Sequence, residues 1–166
     1  MLMVVYCAPQ IFAADNRYAD VFGHYENRQY RYAVMIPEGF HGSQAKPPAP
    51  AHGFFIPLAD SQDARIDVDA NYNTLEYKSV SEAAQRENSW FVERCANSPR
   101  TASKPATLGS MAAVSTEVGC IGQGSSRSVV LESIVAIGPT SSHYMTAVVY
   151  RVILISTKER HRGDKG

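Results

Sequence analysis

The feature that most limits the possible folds is a two-residue alternation of apolar and polar side chains along much of the chain. In residues 29–37 (QYRYAVMIP) and 65–72 (RIDVDANY), every second side chain is aromatic or aliphatic. This period is typical of a β-strand with one buried face. The other face of 65–72 carries Arg, Asp and Asn, and we expect it to lie in water. Further strand-like runs cover about residues 21–25, 53–58, 111–120, 128–137 and 144–155.

One segment, at about residues 79–95, has helical spacing instead. Ser79 and Glu82 form a capping box at its start, and the residues from Asn97 to Pro99 end it. Its apolar residues share one side, which indicates packing against the sheet. Strands that follow one another without alternating helices predict an α+β fold. We expect a mostly antiparallel sheet of about six or seven strands, with this main helix packed on one face.

Two proline-containing segments are predicted to connect these elements. Residues 39–50 include KPPAP, and residues 100–105 end in Pro105. Proline has no N–H to donate to a strand ladder. We therefore expect a loop before the strand at 53–58 and a polar connection after the helix.

Length and charge restrict the class of protein. A chain of 166 residues is typical of a single domain, which we place at residues 15–156, followed by a charged flexible tail at 157–166. The 16 basic residues are balanced by 16 acidic ones, so the formal net charge is zero. A polyanion would meet no overall attractive field, and we expect no nucleic-acid partner.

The first 14 residues, MLMVVYCAPQIFAA, resemble the second half of a signal peptide. The apolar run is too short to span a bilayer, so we expect no membrane anchor after processing. The segment lacks the basic residues that begin a signal peptide, so either the true start lies upstream or the segment is a buried first strand. We favour export and expect a periplasmic or secreted protein.

Cleavage near Ala14 would remove Cys7 and leave two cysteines, Cys95 and Cys120. An even number of cysteines in an exported chain predicts a disulfide bond between them. The alternative is a pair of buried free thiols.

The strand at residues 30–40, YRYAVMIPEGF, ends in Pro, a polar residue, Gly and an aromatic residue. In this it resembles the opening strand of the PsbP and Mog-like families. The order of the predicted elements is also similar to theirs. The resemblance implies an antiparallel sheet flanked by helices. It also implies an exported, lumenal or nuclear accessory protein that works by binding other proteins.

Several patterns that carry chemistry in other proteins are incomplete here. Residues 67–71 (DVDAN) begin like a calcium loop, but Tyr72 stands where the turn needs Gly, and the alternation favours a strand. The histidines lack metal-ligand spacing, and residues 119–126 lack the Gly-Lys pair of a phosphate loop. We expect no metal and no cofactor. A hydrolase site formed on folding by His52 or His143 with Asp67 or Asp69 remains an alternative hypothesis.

Aromatic residues near loops are the most informative remaining feature, because such side chains are enriched at protein interfaces. The candidate binding residues are Phe40, His41, Phe54 and Tyr72, although most aromatic residues in short strands pack inward. We therefore predict a non-enzymatic, exported protein-binding or accessory protein, with an immunity-type inhibitor as one form of it. The alternatives are the small hydrolase and a small-molecule or lipid carrier with an apolar pocket between helix and sheet.

Overall fold

The computed structural model describes residues 17–47, 52–58, 64–124, 127–139 and 146–157, which form two antiparallel sheets and one helix. The helix is α1 (Val80–Val92). The strands are β1 (Tyr18–Val21), β2 (His24–Asn27), β3 (Tyr32–Met35), β4 (Gly42–Ala45), β5 (Gly53–Pro57), β6 (Arg65–Tyr72), β7 (Arg100–Leu108), β8 (Met111–Ile121), β9 (Ser128–Ile137) and β10 (Val148–Thr157). The α+β class and the antiparallel pairing are confirmed.

The main sheet has eight strands in the order β1-β4-β5-β6-β10-β9-β8-β7, and β2 and β3 form a separate hairpin. The expected number of six or seven strands was therefore wrong. Two strands occupy segments that we predicted as connections. β4 lies in the loop predicted at 39–50 and pairs with β1, and β7 begins in the connection predicted at 100–105.

β7 accommodates Pro105 because it lies at the edge of the sheet. Lys104 and Pro105 are both exposed, and β8 is the only neighbour of β7 in the described sheet. An edge strand needs hydrogen bonds on one side only, so a proline costs it little. The rule that proline ends a strand therefore failed at this position.

The strand-like run predicted at residues 21–25 is divided between β1 and β2. The strand at 32–35 pairs with residues 24–27, so that His24 lies opposite Met35. Residues 18–21, just before, form β1 and pair with β4 instead. The chain leaves β1 through Gly23, whose φ of +62° is costly for other residues. This turn places the hairpin away from the plane of the main sheet.

The helix and the hairpin contact residues on opposite faces of the main sheet. On one face, Ala83 and Ala84 of α1 share a buried cluster with Val135 and Val149, and Phe91 shares another with residues of β8, β9 and β10. On the other face, the hairpin residues Tyr25, Val34 and Ile36 pack with Phe54, Ile56 and Val68. Because successive side chains of a strand point to opposite faces, the main sheet contributes residues to two separate cores.

This arrangement overturns the expectation that the polar face of β6 lies in water. Asp67 and Asp69 lie on the face that α1 covers, and their side chains are only 22% and 21% exposed. Asp69 lies opposite Arg151 of β10 and binds it. The polar face of β6 is therefore occupied by the ion pair of Asp69 and Arg151, which lies beneath α1.

The start of α1 follows the predicted capping box. The Ser79 side chain accepts a hydrogen bond from the Glu82 N–H at 3.1 Å, and the Glu82 carboxylate accepts one from the Lys78 N–H at 2.8 Å. These contacts satisfy amide groups that have no partner within the helix. The helix ends at Val92, three residues earlier than predicted.

The predicted disulfide is confirmed: Cys95 and Cys120 are joined, with their Cα atoms 5.7 Å apart. The bond ties the residues after α1 to β8. Such bonds form in oxidising, extracytoplasmic compartments, and the structure fits one of these. The predicted signal peptide, the tail beyond Thr157, Cys7 and His143 lie outside the described residues. Thr157 itself ends β10. Among the described residues, no helix has the length and hydropathy needed to cross a membrane.

Candidate functional site

The exposed aromatic residues concentrate where β1, the hairpin and β4 meet. Val21 pairs with Gly42, and the N–H of Ile36 donates to the carbonyl of Gly23 at 2.7 Å. These contacts hold the end of β1, the end of β3 and the start of β4 together at one end of the molecule. We call the side chains there the hairpin-end surface: Phe22, Met35, Phe40 and His41.

These side chains are unusually exposed for apolar groups. Phe22 is 65% exposed, Met35 70% and Phe40 42%. The His41 ring lies 6.1 Å from that of Phe22. Phe40 is held in a turn in which its N–H donates to the Pro37 carbonyl at 3.2 Å. Exposed apolar side chains of this size on neighbouring chain segments are typical of a protein interaction site.

The structure places only part of the predicted binding set on this surface. Phe40 and His41 are on it. Phe54 is 4% exposed and packs against Tyr25 with ring centroids 4.6 Å apart, so it belongs to the core and cannot contact a partner. Tyr72 lies elsewhere, at the far end of β6.

Phe22 and Met35 were not among the predicted binding residues, although the sequence carries a signal for Met35. Met35 stands in the polar phase of the alternating segment 29–37, together with Arg31 and Ala33. Successive side chains of a strand point to opposite faces. Because Val34 is partly buried, Met35 is predicted to face outward. Phe22 lies in the predicted strand-like run at 21–25, just before the turn at Gly23, and it was not among the candidate binding residues.

Tyr72 and His52 lie together in a cavity of about 320 Å³ at the end of β6. The Tyr30 ring stacks against the His52 ring with centroids 5.5 Å apart and lies 5.0 Å from the Tyr72 ring. The Tyr30 hydroxyl and His52 Nδ1 are 2.8 Å apart, within hydrogen-bond distance. His52 Nδ1 also lies 3.3 Å from the Ala70 carbonyl.

Hydrogen bonds from tyrosines join the hairpin side to the main sheet. The Tyr150 hydroxyl donates to the Tyr30 carbonyl at 2.8 Å, and the Tyr32 hydroxyl donates to the His52 carbonyl at 2.9 Å. Burial raises the pKa of both phenols above the ordinary value, with the neighbouring Tyr25 adding to the effect at Tyr32. Both therefore stay protonated as donors. We interpret this layer as structural, because its polar groups already pair with one another.

The structure does not bring His52 together with either predicted carboxylate, and His143 lies outside the described residues. The carbonyl of His52 accepts from the Ala70 N–H, and its ring contacts the hairpin side of the sheet. Asp67 and Asp69 point to the helix side instead, and Asp69 is bound to Arg151. Burial raises the pKa of Asp67, although the nearby Arg65 opposes this shift. The sheet therefore separates the His52 ring from the carboxylates of Asp67 and Asp69.

Metal-binding geometry is likewise lacking in the described part of the chain, where no group of three or more His, Cys, Asp or Glu side chains could hold an ion. Residues 67–71, which begin like a calcium loop, lie within β6. An extended strand turns alternate side chains to opposite faces and cannot wrap them around one ion.

The sequence matches no protein-family model and no curated protein. The fold is similar to the solution structure of cyanobacterial PsbP (CyanoP) from Synechocystis sp. PCC 6803, with a TM-score of 0.52 and 11% sequence identity. The match covers 98% of this chain and 91% of that chain. The chain therefore has a PsbP-like α+β fold, as the resemblance at residues 30–40 predicted. At this identity the likeness shows the fold alone.

Proposed function

We propose that this chain is a non-enzymatic, extracytoplasmic accessory protein that binds another protein through the hairpin-end surface. The observation that carries the proposal is the exposure of Phe22, Met35 and Phe40 on three chain segments held together by backbone hydrogen bonds. A large apolar side chain in water costs free energy that a partner recovers on binding.

The segments are also pre-organised for binding. Phe22 lies between Val21, which pairs with Gly42, and Gly23, whose carbonyl accepts from the Ile36 N–H. The N–H of Phe40 itself donates to the Pro37 carbonyl. A surface already fixed by its backbone loses little conformational entropy when a partner docks. We expect Phe22 and Phe40, as aromatic residues, to contribute most of the binding free energy.

Two further observations support an extracytoplasmic role. The disulfide between Cys95 and Cys120 is typical of an oxidising compartment, and the PsbP-like fold is compatible with an accessory protein. We propose a periplasmic or secreted location, reached through a signal peptide at residues 1–14. An inhibitor of the immunity type would be one form of such a protein.

Site-specific photo-crosslinking tests the binding proposal. Phe22 and Phe40 are replaced one at a time by p-benzoylphenylalanine, and the full chain is irradiated in its own cells. We expect one discrete adduct from both positions, identified by mass spectrometry. The control places the crosslinker at Ile121, which is 38% exposed but lies beside the disulfide. Equal adducts from all three positions, or none from 22 and 40, would contradict the proposal.

A second measurement separates binding from folding. The double variant Phe22→Ser/Phe40→Ser removes two exposed rings and should leave the thermal unfolding midpoint unchanged or slightly higher. We expect it to lose the crosslink formed from a probe at position 35. Export is tested independently by the intact mass of protein recovered from the envelope, which should lack about the first 14 residues.

A further inference from the structure

A second concave site lies between the end of α1 and the face of the main sheet that this helix covers. Its volume is about 340 Å³, which is within the usual range for small-molecule sites. Its apolar walls include Trp90 of α1, Val129 of β9 and Ile155 of β10, all of them only partly buried. Two arginines also line it, Arg65 at the start of β6 and Arg94 just after α1. We call this space the arginine cleft.

Both guanidinium groups have N–H donors that the described residues do not use. Arg65 donates from Nε to Asp67 at 3.1 Å, and its two Nη atoms have no acceptor there. Arg94 lies over the Trp90 ring, with its Cζ 5.3 Å from the ring centroid. This contact uses the flat face of the guanidinium and leaves its in-plane N–H groups available. The Arg65 side chain is 49% exposed and Arg94 is also exposed, so a molecule in the cleft can reach both.

The charges around the cleft favour an anion. Within the described part of the chain, no carboxylate side chain lines it. Asp67 balances the charge of Arg65 through their ion pair, whereas no carboxylate pairs with Arg94. A carboxylate fits the planar fork of a guanidinium and can accept two parallel hydrogen bonds from it. The apolar walls and the volume exceed what a small inorganic ion would fill, so the anion should carry an apolar group.

The backbone holds Arg94 in position beside the cleft. Its N–H donates to the Phe91 carbonyl at 3.0 Å, and its own carbonyl accepts from the Gln123 N–H at 3.0 Å. The next residue, Cys95, is joined by the disulfide to Cys120 of β8. A guanidinium that is stacked on an aromatic ring and carried by a fixed backbone loses little conformational entropy when a ligand binds.

We propose that the arginine cleft binds a small organic carboxylate with an apolar body. The carboxylate group accepts hydrogen bonds from Arg94 and Arg65. The apolar body packs against Trp90, Val129 and Ile155. This inference does not depend on the proposed protein binding, because the arginine cleft and the hairpin-end surface share no residue.

Matched probes test the charge and the apolar body of the ligand. Trp90 is the only tryptophan of the chain, so tryptophan fluorescence reports on the cleft. Hexanoate, its neutral analogue hexanamide and the short acid acetate are titrated into the oxidised protein at low salt. We expect a saturable change in emission with hexanoate. Hexanamide, which lacks the charge, should bind about 10-fold more weakly, and so should acetate, which lacks the apolar body. Equal binding of hexanoate and either of the other probes, or no saturable change with hexanoate, would overturn the proposal.

Two variants locate the binding. Arg94→Gln should remove most of the preference for hexanoate over hexanamide, because glutamine keeps an N–H donor but has no charge. Its matched control is Arg86→Gln, which removes the same charge from an exposed position of α1 outside the cleft and should leave the preference unchanged. Since Arg94 also contacts Trp90, binding to each variant is measured in addition by NMR shifts of the Val129 and Ile155 methyl groups. A preference that survives Arg94→Gln, or that falls equally in both variants, would contradict the assignment.

Discussion

Arg151 and Asp69 lie directly opposite each other on β10 and β6 and are joined by two parallel hydrogen bonds, from Nε to Oδ1 and from Nη2 to Oδ2, both 2.8 Å long. The remaining Nη1 of Arg151 binds the carboxylate of Glu87 on α1, and Glu87 in turn accepts from the Tyr77 hydroxyl at 2.9 Å. Burial by itself lowers the pKa of Arg151, but Asp69 and Glu87 outweigh it and raise the pKa above its ordinary value. The guanidinium therefore connects the helix to the sheet as a permanent cation.

Replacing this cation should destabilise the fold strongly. Arg151→Met leaves the carboxylates of Asp69 and Glu87, which are 21% and 19% exposed, without a counter-charge. We expect the free energy of unfolding at pH 7 to fall by about 3 kcal/mol, as measured by urea denaturation. The control is Arg65→Met, whose ion pair with Asp67 is more exposed and should contribute less than about 1 kcal/mol. Similar losses in both variants would argue against a special role for Arg151.

The environment of Tyr77 leads to a prediction of how the free energy of unfolding changes at alkaline pH. Burial, with the hydrogen bond and charge of Glu87, raises the pKa of the Tyr77 phenol to about 12. Because the pKa in the folded state exceeds the value of about 10 in the unfolded chain, the stabilising contribution is complete below pH 10. It is lost as the pH rises from about 10 towards 12.

The test is urea denaturation of the wild type and Tyr77→Phe between pH 8 and 11.5. The variant should lose stability at pH 8, since the hydrogen bond to Glu87 is removed, but should decline less steeply above pH 10. Tyr32 and Tyr150 also have raised pKa values, so part of the decline should persist. Parallel curves for the two proteins would show that Tyr77 does not titrate in this range.

The disulfide should stabilise the fold because it restricts the conformations of the unfolded chain. Cys95 and Cys120 are separated by 25 residues, and closing a loop of that length contributes about 3 kcal/mol in the chain-entropy model. We expect the double variant Cys95→Ala/Cys120→Ala to unfold at lower urea concentration by the corresponding amount. Reduced wild type should behave like this variant. No difference between oxidised and reduced protein would contradict the prediction.

The capping box gives a smaller and more local effect. Ser79→Ala removes the acceptor for the Glu82 N–H and should lower the free energy of unfolding by about 1 kcal/mol. Ser81→Ala, two residues later on the exposed side of α1, is the matched control and should change it by much less. Measurement of both by thermal unfolding distinguishes the cap from a general effect of serine removal.

Local patterns predicted the long elements well. The bounds of β6 agree with the alternating segment at 65–72, and those of β9 agree with the strand-like run at 128–137. Ser79 caps α1 as the sequence indicated. These elements are long enough for period and capping chemistry to act together. β4 has four residues, GSQA, with no apolar alternation. It exists because β1 and β5 flank it, which is a tertiary effect that no local pattern contains.

The candidate site was predictable only in part for the same reason. Phe40 was identified as an aromatic residue near a loop, and it is exposed. Phe54 was identified by the same aromatic criterion, yet it is buried because the hairpin folds over β5. Aromatic type alone does not tell which layer covers a residue. The pairing of Asp69 with Arg151 joins positions 82 residues apart, and only the strand order brings them together.

The position of Pro105 in β7 has a consequence for self-association. An open sheet edge offers its unpaired amides to a strand from any other chain, including a second copy. Here Pro105 removes one donor near the middle of the edge strand, and Lys104 places a positive charge beside it. A second copy approaching this edge would therefore find the row of backbone donors interrupted at Pro105. Its own Lys104 would also be repelled by the like charge of Lys104 on the first copy. This edge of the sheet should therefore resist extension into a fibre by the strands of further copies.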